Sequence, residues 1–318
     1  MLDRDLIERL IGSAVLAPSS HNTQPWIFEL ANKELRVIAD RTRALPVNDP
    51  DDRELVISCG CALLNLRAAA AKEGLGTSVS LAPHAEDEDV LAEVSLCGPA
   101  EEELARLAEA VSERRTYRKR FLPKTVPKDV VDALFAAAET EGAQLVPLIE
   151  EDMRTAVARL VAEGDEALWS NPSWRRELAH WMHPRRKGDG LSLPWLTLPA
   201  AQIVVRSFDM GGGIGAKDSD LAENSPLLAL LTTPADDVAN WLAAGQALER
   251  VLLKAAAAGL QASYLNQPVQ VPELRQRIAG LFGGKGVPQI LLRLGYPGDS
   301  VPAAARRPLQ DVIRSRTE

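Results

Sequence analysis

Two alanine-rich segments with matching boundaries constrain the fold of this chain more than any other feature. GCALLNLRAAAAKEGLGTS begins at Gly60 and GQALERVLLKAAAAGLQAS begins at Gly245, a constant offset of 185 residues. Both contain an opening glycine, an Ala-Leu pair, four alanines (displaced by two residues) and a closing Gly-Leu and Ser. Shared boundaries indicate an internal duplication, in which each half holds an α+β unit around a buried central helix. The alternative is that alanine-rich helices look alike by composition alone.

Hydrophobic periodicity and turn residues predict the remaining elements. Helices are predicted over residues 3–16, 53–72, 101–116, 127–142 and 238–258, with an irregular helical stretch over 153–195. TQPWIFEL and ELRVIAD, separated by residues 32 and 33, are predicted to form a strand pair. Other apolar runs of strand length are EVSLCG, LVPLIE, AAQIVVRSF, LLALLTT and QILLRLGY.

The composition is typical of a soluble globular protein. The 318 residues are 46% hydrophobic and 25% charged, with a formal net charge of -8. This acidic balance argues against nucleic acid or a membrane surface as a partner. No run of about 18 uncharged apolar residues predicts a membrane span, and MLDRDLIERLIG does not resemble a signal peptide. Three cysteines do not suit a disulfide framework, so we expect a cytoplasmic protein.

The segment LAPSSHNTQPWIF, residues 16–28, is more polar than a connecting turn requires. Pro18 limits the preceding helix, because proline disfavours helical backbone in the residue before it. Trp26 and Phe28 then provide an aromatic anchor. The segment between them is suited to presenting hydroxyls, an amide and backbone groups to a ligand.

Basic residues are concentrated in RRTYRKRF, residues 114–121. One interpretation is a solvated helix end. The other is an anion clamp, because arginines offer planar forks to phosphate and Thr116 adds a hydroxyl. Arg306 and Arg307 follow the last predicted strand, and they would grip the same phosphate if the sheet edge brings the two clusters together.

Three other motifs favour structural roles. MGGGIGAK, residues 210–217, lacks Gly-x-Gly-x-x-Gly spacing and opens no apolar helix, which predicts a flexible loop. Cys59 and Cys61 have no second ligand pair nearby, so packing is favoured over a metal or redox role. His180 and His183 have ligand-like spacing but no obvious acidic partner. We therefore expect no metal site.

Several segments are familiar in combination: APSSHNTQPW, RRTYRKRF with PKDVVDALFAAA, and WLAAGQALERVLLKAAAAGL with PQILLRLGYP. Together they resemble the nitroreductase family of FMN proteins. DRTRALPVNDPDDRELVISCG is similar to the longer, Acg-like branch, in which two nitroreductase-like halves are joined in one chain. The resemblance implies an α+β fold with a central, mostly antiparallel sheet flanked by helices. It also implies FMN where two halves or subunits meet.

The resemblance further implies one composite FMN site. In ordinary members a basic start and a basic end of the chain hold the phosphate, and a Pro-Ser-Ser-x-Asn segment reaches the flavin from the other subunit. Here residues 111–318 supply the basic start and end, whereas residues 1–110 supply the Pro-Ser-Ser-x-Asn segment. The YLNQP turn matches the family position near the N5 edge. The predicted contacts are Pro18, Ser19, Ser20, Asn22, Arg114, Arg115, Thr116, Arg118, Leu265, Asn266, Gln267, Arg306 and Arg307.

Residues 165–200 depart from ordinary nitroreductases and contain four tryptophans. The Acg-like branch implies a lid over the FMN site here, which would restrict substrates. The alternative is a helical insertion packed on the surface.

The implied activity is FMN-dependent oxidoreduction in a fused pseudo-dimer, either monomeric or homodimeric. Hydride would pass from NAD(P)H or another small-molecule donor to flavin N5, and then to an electron-poor acceptor such as a nitro compound or quinone. No side chain need act as acid or base, so no catalytic residue is assigned. One alternative is a protein that stores or sequesters FMN, and another is a pseudoenzyme without flavin.

Overall fold

The computed structural model describes residues 3–31, 34–84, 86–182, 188–191, 198–284 and 286–315. Its helices are α1 (Arg4–Ala14), α2 (Arg53–Lys72), α3 (Glu102–Leu107), α4 (Lys128–Thr140), α5 (Glu151–Ser170), α6 (Pro172–His180), α7 (Leu198–Ser207), α8 (Gly211–Glu223), α9 (Val238–Ala257), α10 (Gln267–Gln270) and α11 (Pro272–Leu281). Its strands are β1 (Trp26–Ala31), β2 (Glu34–Ala39), β3 (Leu75–Leu81), β4 (Val90–Pro99), β5 (Gln144–Pro147), β6 (Leu227–Thr233), β7 (Gln261–Tyr264), β8 (Val287–Gly295) and β9 (Ile313–Ser315).

The strands form two mostly antiparallel sheets, ordered β3-β4-β2-β1-β9 and β5-β6-β8-β7. The predicted strand pair is confirmed as the antiparallel pair β1 and β2. The α+β class is also confirmed, although the strands are divided between two sheets where one central sheet was expected.

The C-terminal strand β9 crosses from the second half of the chain to the first sheet. It pairs in parallel with β1, where Phe28 lies opposite Ile313. The Phe28 amide also donates to the carbonyl oxygen of Val312 at 2.7 Å. This crossing carries residues 306 and 307 toward the start of the chain.

Helices α2 and α9 pack against each other at the centre of the fold. Their closest approach lies at the two glycines that open the matching segments. A Cβ atom on Gly60 would lie 2.5 Å from the carbonyl oxygen of Leu242 and 2.9 Å from Cα of Gly245. The largest apolar cluster contains side chains from both helices and both sheets. The two predicted central helices therefore share one core, while the internal duplication and the boundaries 1–110 and 111–318 stay predictions.

Helix α2 has the length and mean hydropathy of a membrane span, 1.4 over its best window, but 94% of that window is buried inside the protein. It contains Cys59 and Cys61, which are both buried. Burial raises the pKa of each thiol, so neither is poised to form a thiolate. The helix has the environment of a core element.

Two local predictions are wrong. AAQIVVRSF, predicted as a strand, lies mostly in α7, and MGGGIGAK, predicted as a flexible loop, forms the first turns of α8. Gly215 explains the second error, because a Cβ atom there would lie 3.0 Å from the carbonyl oxygen of Ala162 in α5. Its missing side chain lets α8 approach α5 closely, and this tertiary contact outweighs the low helix propensity of glycine.

Replacing Gly60 by Ala should destabilise the protein by roughly 3 kcal/mol, because backbone atoms of α9 occupy the space that the methyl group needs. Gly12 is a matched control in α1, with no atom within 4 Å of a Cβ placed there. Gly12→Ala should be neutral or stabilise by up to about 1 kcal/mol. Urea unfolding measures both effects, and equal stability of the two variants would contradict the close crossing.

Candidate functional site

Residues 18–24 form an irregular turn between α1 and β1. His21, Asn22 and Gln24 have φ angles of 49°, 54° and 52°, in the left-handed region. Each such residue costs of order 1 kcal/mol, and the cost is tolerated when surrounding contacts fix the backbone. Here Ser19 Oγ accepts from the Gln24 amide at 2.9 Å, and Ser20 Oγ donates to Glu54 at 2.5 Å. The turn is a strained but well-supported segment.

Arginines from the second half of the chain bind the carbonyls at the end of α1. Arg306 donates to the carbonyl oxygens of Val15 (2.7 Å), Leu16 (2.8 Å) and Ala17 (3.2 Å). Arg114 donates to the same Leu16 oxygen at 3.0 Å. The structure therefore brings the two predicted basic clusters together, directly before the polar turn.

The surroundings of the turn are electropositive. Burial and the neighbouring charges of Arg114 and Arg115 lower the pKa of Arg306 to about 10, against the opposing charge of Glu249. Desolvation by nearby protein atoms also lowers the pKa of Arg118, although this residue is exposed at the surface. The pKa of His21 falls to about 4, first because of burial and then because of the Arg118 charge. At neutral pH the arginines are charged and His21 is neutral.

Three of these groups carry nitrogen atoms that make no hydrogen bond within the described residues, although Arg114 Nε lies 3.5 Å from Glu249 Oε1 in an ion pair. The buried atoms Nδ1 of His21 and Nε of Arg114 make no hydrogen bond within the described residues. Arg118 is exposed and makes no hydrogen bond or ion pair within the described residues. Because nearby protein atoms still lower its pKa, it lies at the rim of the site. An anion with several acceptor oxygens suits such a set of arginines.

Other predicted contacts are used by the protein itself. Asn22 Nδ2 donates to the carbonyl oxygen of Ala305 at 3.2 Å, and its Oδ1 lies 3.4 Å from Arg306 Nη1. Arg307 donates to the Gln24 carbonyl oxygen at 2.9 Å. Arg115 donates to the Ser112 carbonyl oxygen at 2.6 Å. These side chains hold the walls of the site in place.

Thr116 and Pro18 lie beside this network. Thr116 forms an isolated parallel bridge with Ala262 of β7. The next amide, that of Tyr117, donates to the Ala262 carbonyl oxygen at 2.8 Å. The basic segment is thereby fixed to the edge of the second sheet.

The side chains of the YLNQP turn are committed to the fold. Leu265 is 2% exposed in the second apolar cluster. Asn266 Oδ1 accepts from the Leu291 amide at 3.1 Å. Gln267 donates to Asp165 at 3.2 Å and to Asp218 at 2.9 Å. Burial and the Asp218 charge raise the pKa of Asp165 to about 7.

A buried carboxylate connects this second turn to the first. Gln270, at the end of α10, donates to Glu54 at 2.9 Å, and Glu54 accepts from Ser20 at 2.5 Å. Glu54 is 2% exposed and begins α2. The structure thus links the two predicted flavin-contacting turns through the start of the central helix.

Within the described part of residues 165–200, residues 188–191 lie on the polar turn. Gly190 exchanges two hydrogen bonds with Asn22, at 3.1 and 3.2 Å, and Gln24 donates to the Gly188 carbonyl oxygen at 2.7 Å. Asp189 forms an ion pair with Arg43. We call residues 188–191 the covering segment. The predicted lid residues 183–187 and 192–197, and with them His183, lie outside the described residues.

A second contact fixes the same region to the first half. Glu177 in α6 accepts from the Val47 and Asn48 amides, each at 2.9 Å. Trp174 donates to Asn48 Oδ1 at 2.8 Å. Arg43 lies 5.4 Å from the Trp181 ring centre.

The sequence did not identify several residues that build the site. Arg43, Glu54 and Glu249 are separated in sequence from the turn and arginines that they contact, whereas Gln24 lies inside the polar segment but was not selected. His21 carried a usable signal, because it lies inside the polar segment that was already selected. A buried acid next to a cluster of arginines has no pattern along the sequence.

Comparison with known proteins shows similarity over almost the whole chain. A Mycobacterium tuberculosis protein named "Putative NAD(P)H nitroreductase Rv3131" is 31% identical over 322 residues, which cover 98% of this chain and 92% of that protein. "Putative NAD(P)H nitroreductase acg" from the same organism is 29% identical over 329 residues, covering 100% of this chain and 98% of that protein. No protein-family model matches.

Solved structures resemble this chain more distantly. The FMN-dependent nitroreductase NfnB from Mycobacterium smegmatis, in complex with NADPH, is 19% identical with a TM-score of 0.43. The match covers 66% of this chain and 98% of that one. Iodotyrosine deiodinase bound to FMN has a TM-score of 0.42 at 14% identity, covering 64% of this chain and 95% of that one.

Proposed function

The chain belongs to the nitroreductase family, and from this premise we propose that it is an FMN-dependent oxidoreductase with one composite flavin site. The observation that carries the proposal is the Leu16 carbonyl oxygen, which accepts from both Arg114 and Arg306. It brings the Pro-Ser-Ser-x-Asn turn of the first half against both basic clusters of the second. The buried donors left without partners there fit a phosphate group.

The proposed phosphate ligands are Arg118, Arg114 and His21. Arg118 supplies a charge with no partner in the described part of the chain, and His21 and Arg114 supply buried nitrogen atoms that make no hydrogen bond there. Arg306 adds positive charge while it fixes the end of α1. The strained turn would then present its backbone groups and Ser19 to the ring.

Bound FMN supplies hydride transfer in this family, and the protein supplies position and electrostatics. Positive charge near the site favours an anionic reduced ring. The covering segment excludes water from the turn. NAD(P)H is the proposed donor, a nitro compound or quinone is the proposed acceptor, and the expected location is the cytoplasm.

A second candidate function is storage or sequestration of FMN. It is favoured by the covering segment, which forms three hydrogen bonds with Asn22 and Gln24 and an ion pair with Arg43. A ligand held beneath such a segment leaves only when these contacts break. The same contacts would restrict the approach of a nicotinamide donor.

Replacing Arg118 by Ala should weaken FMN binding about tenfold to a hundredfold, because a charge-assisted hydrogen bond to phosphate is lost. Arg120 is a matched control two residues away, since it is exposed and forms an ion pair with Asp220. Arg120→Ala should bind FMN like the wild type. Quenching of flavin fluorescence measures both affinities, and equal losses in the two variants would contradict the assignment.

An anaerobic visible spectrum, recorded before and after NADPH is added, distinguishes the two functions. An enzyme should lose its flavin absorbance at about 450 nm with NADPH, and Asp189→Asn should bleach several-fold faster because the ion pair to Arg43 is weakened. Asp132→Asn, in an exposed pair with Lys128, is the control and should not change the rate. Flavin that is reduced by dithionite but not by NADPH or NADH, in the wild type and in Asp189→Asn, would favour sequestration.

A further inference from the structure

A cluster of buried polar side chains lies directly behind the arginines of the site. It consists of Asn65 in α2, Arg114, Glu249 in α9 and Tyr264 in β7. Asn65 and Glu249 are both 0% exposed, and Arg114 is 6% exposed. Both polar atoms of Asn65, both carboxylate oxygens of Glu249, Arg114 Nε and Tyr264 Oη make no hydrogen bond of good geometry within the described residues, although Asn65 lies close enough to Glu249 to favour its ionised form. Buried groups of this kind are ordinarily satisfied by water or by a ligand.

Glu249 is placed to respond to charge at the neighbouring site. Its Oε1 lies 3.5 Å from Nε of Arg114, and the Nη2 of that arginine binds the Leu16 carbonyl oxygen together with Arg306. One side of Arg114 therefore contacts the carboxylate, and the other contacts the end of α1. An anion that binds beside Arg114 and Arg306 would be close to Glu249.

The groups that face Glu249 from every neighbouring element are few. Arg114 and Arg306 contribute positive charge, Tyr264 and Cys61 are titratable, and Asn65 is neutral. Burial raises the pKa of Glu249 to about 7, against the opposing influence of Arg114, Asn65 and Arg306. Burial raises the pKa of Tyr264 and Cys61 too, so both stay neutral near pH 7. Glu249 is the member of the cluster whose charge can change there.

We propose that Glu249 is a positioning residue that takes up one proton from solvent when an anion binds to the arginines of the site. The proposal rests on the proposed function only in taking the flavin phosphate as the natural anion. While it is ionised, Glu249 competes with the anion for Arg114 and repels it. Once it is protonated, Glu249 leaves the guanidinium charge to the anion.

Anion binding and protonation of Glu249 are linked, so the affinity for the anion depends on pH. A bound anion raises the pKa of Glu249 above its value in the free protein. Affinity is therefore constant below the free-state pKa, falls by at most about tenfold per pH unit above it, and becomes constant again above the bound-state pKa. The Gln variant cannot ionise and should lose this dependence.

The test measures binding of sulfate alone, by calorimetry between about pH 6 and pH 9, to the wild type and to Glu249→Gln. Sulfate is a dianion throughout this range, whereas the flavin phosphate itself titrates near its lower end. Repeating the titration in buffers of different ionisation enthalpy counts the protons taken up. Glu141→Gln is the control, because Glu141 is a buried carboxylate paired with Arg67 and Arg250, outside this cluster.

The wild type and Glu141→Gln should bind sulfate up to tenfold more weakly per pH unit above about pH 7, with proton uptake. Glu249→Gln should bind without this slope and more tightly than the wild type at pH 9. Parallel pH profiles in all three proteins, or no sulfate binding in any, would overturn the proposal.

Two further measurements distinguish the role of Glu249 in anion binding from an effect on folding and from the proposed function. The stability of the wild type in urea should fall more steeply than that of Glu249→Gln as pH rises from about 4.5 to about 7, because the native pKa of Glu249 is raised; Asp165 and Asp49, whose pKa values are also raised, contribute equally to both proteins. FMN titration then examines the flavin itself. If sulfate binds as predicted but FMN does not bind, the proposed function is refuted and the role of Glu249 is supported. If FMN binds and Glu249→Gln leaves the pH dependence of FMN binding unchanged, the role of Glu249 is refuted and the proposed function is supported.

Discussion

The carbonyl oxygen of Leu16 is the point on which the rest of the site depends. Leu16 lies in the turn two residues after Ala14, the last residue of α1, and cationic side chains are favoured near that end of the helix dipole. Arg114 and Arg306 approach this oxygen from two distant parts of the second half of the chain. Their hydrogen bonds hold the end of α1 in place and collect positive charge where the polar turn begins. Arg114 and Arg306 thus stabilise the chain after α1 and also supply positive charge for the phosphate of the proposed ligand.

The cost of this arrangement is visible nearby. The turn holds three non-glycine residues in left-handed backbone, and in the described part of the chain the cluster behind it leaves a carboxylate, an amide and a phenol without hydrogen bonds. Strain and unpaired buried groups are concentrated at functional sites in folded proteins. Here they surround a place where a phosphate and a planar ring would supply the missing contacts. The covering segment protects the turn through hydrogen bonds to Asn22 and Gln24.

Much of the fold follows from local sequence. The helix predicted from about Arg53 to Lys72 is confirmed as α2, with the same boundaries. The strand pair β1 and β2 followed from alternation and the intervening turn. The errors at α7 and α8 arose where tertiary contacts outweigh local preference. Gly215 favours a loop by its local propensity, but its close contact with α5 stabilises a helix there. The parallel pairing of β9 with β1 had no local signal, since it joins residues almost 300 positions apart.

Some features of the candidate site were also predictable from local sequence, whereas others depend on tertiary contacts. The polar turn and the basic clusters were found because unusual composition is visible along the chain, and the structure brings Arg114 and Arg306 to the turn. The hydrogen-bond partners of individual side chains could not be predicted from the sequence. Arg307 and Asn266 carry the expected chemical groups, yet their hydrogen bonds go to the protein. Glu249 carried no signal, because its position behind Arg114 comes from the packing of α9 on α2.

The number of FMN molecules bound per chain tests the central claim most directly. Native mass spectrometry of the reconstituted protein gives this number together with the oligomeric state. If the first half supplies the turn and the second half supplies both basic clusters, a single chain should bind one FMN as a monomer. Two FMN molecules per chain, or FMN bound only by a dimer, would contradict a composite site completed within one chain.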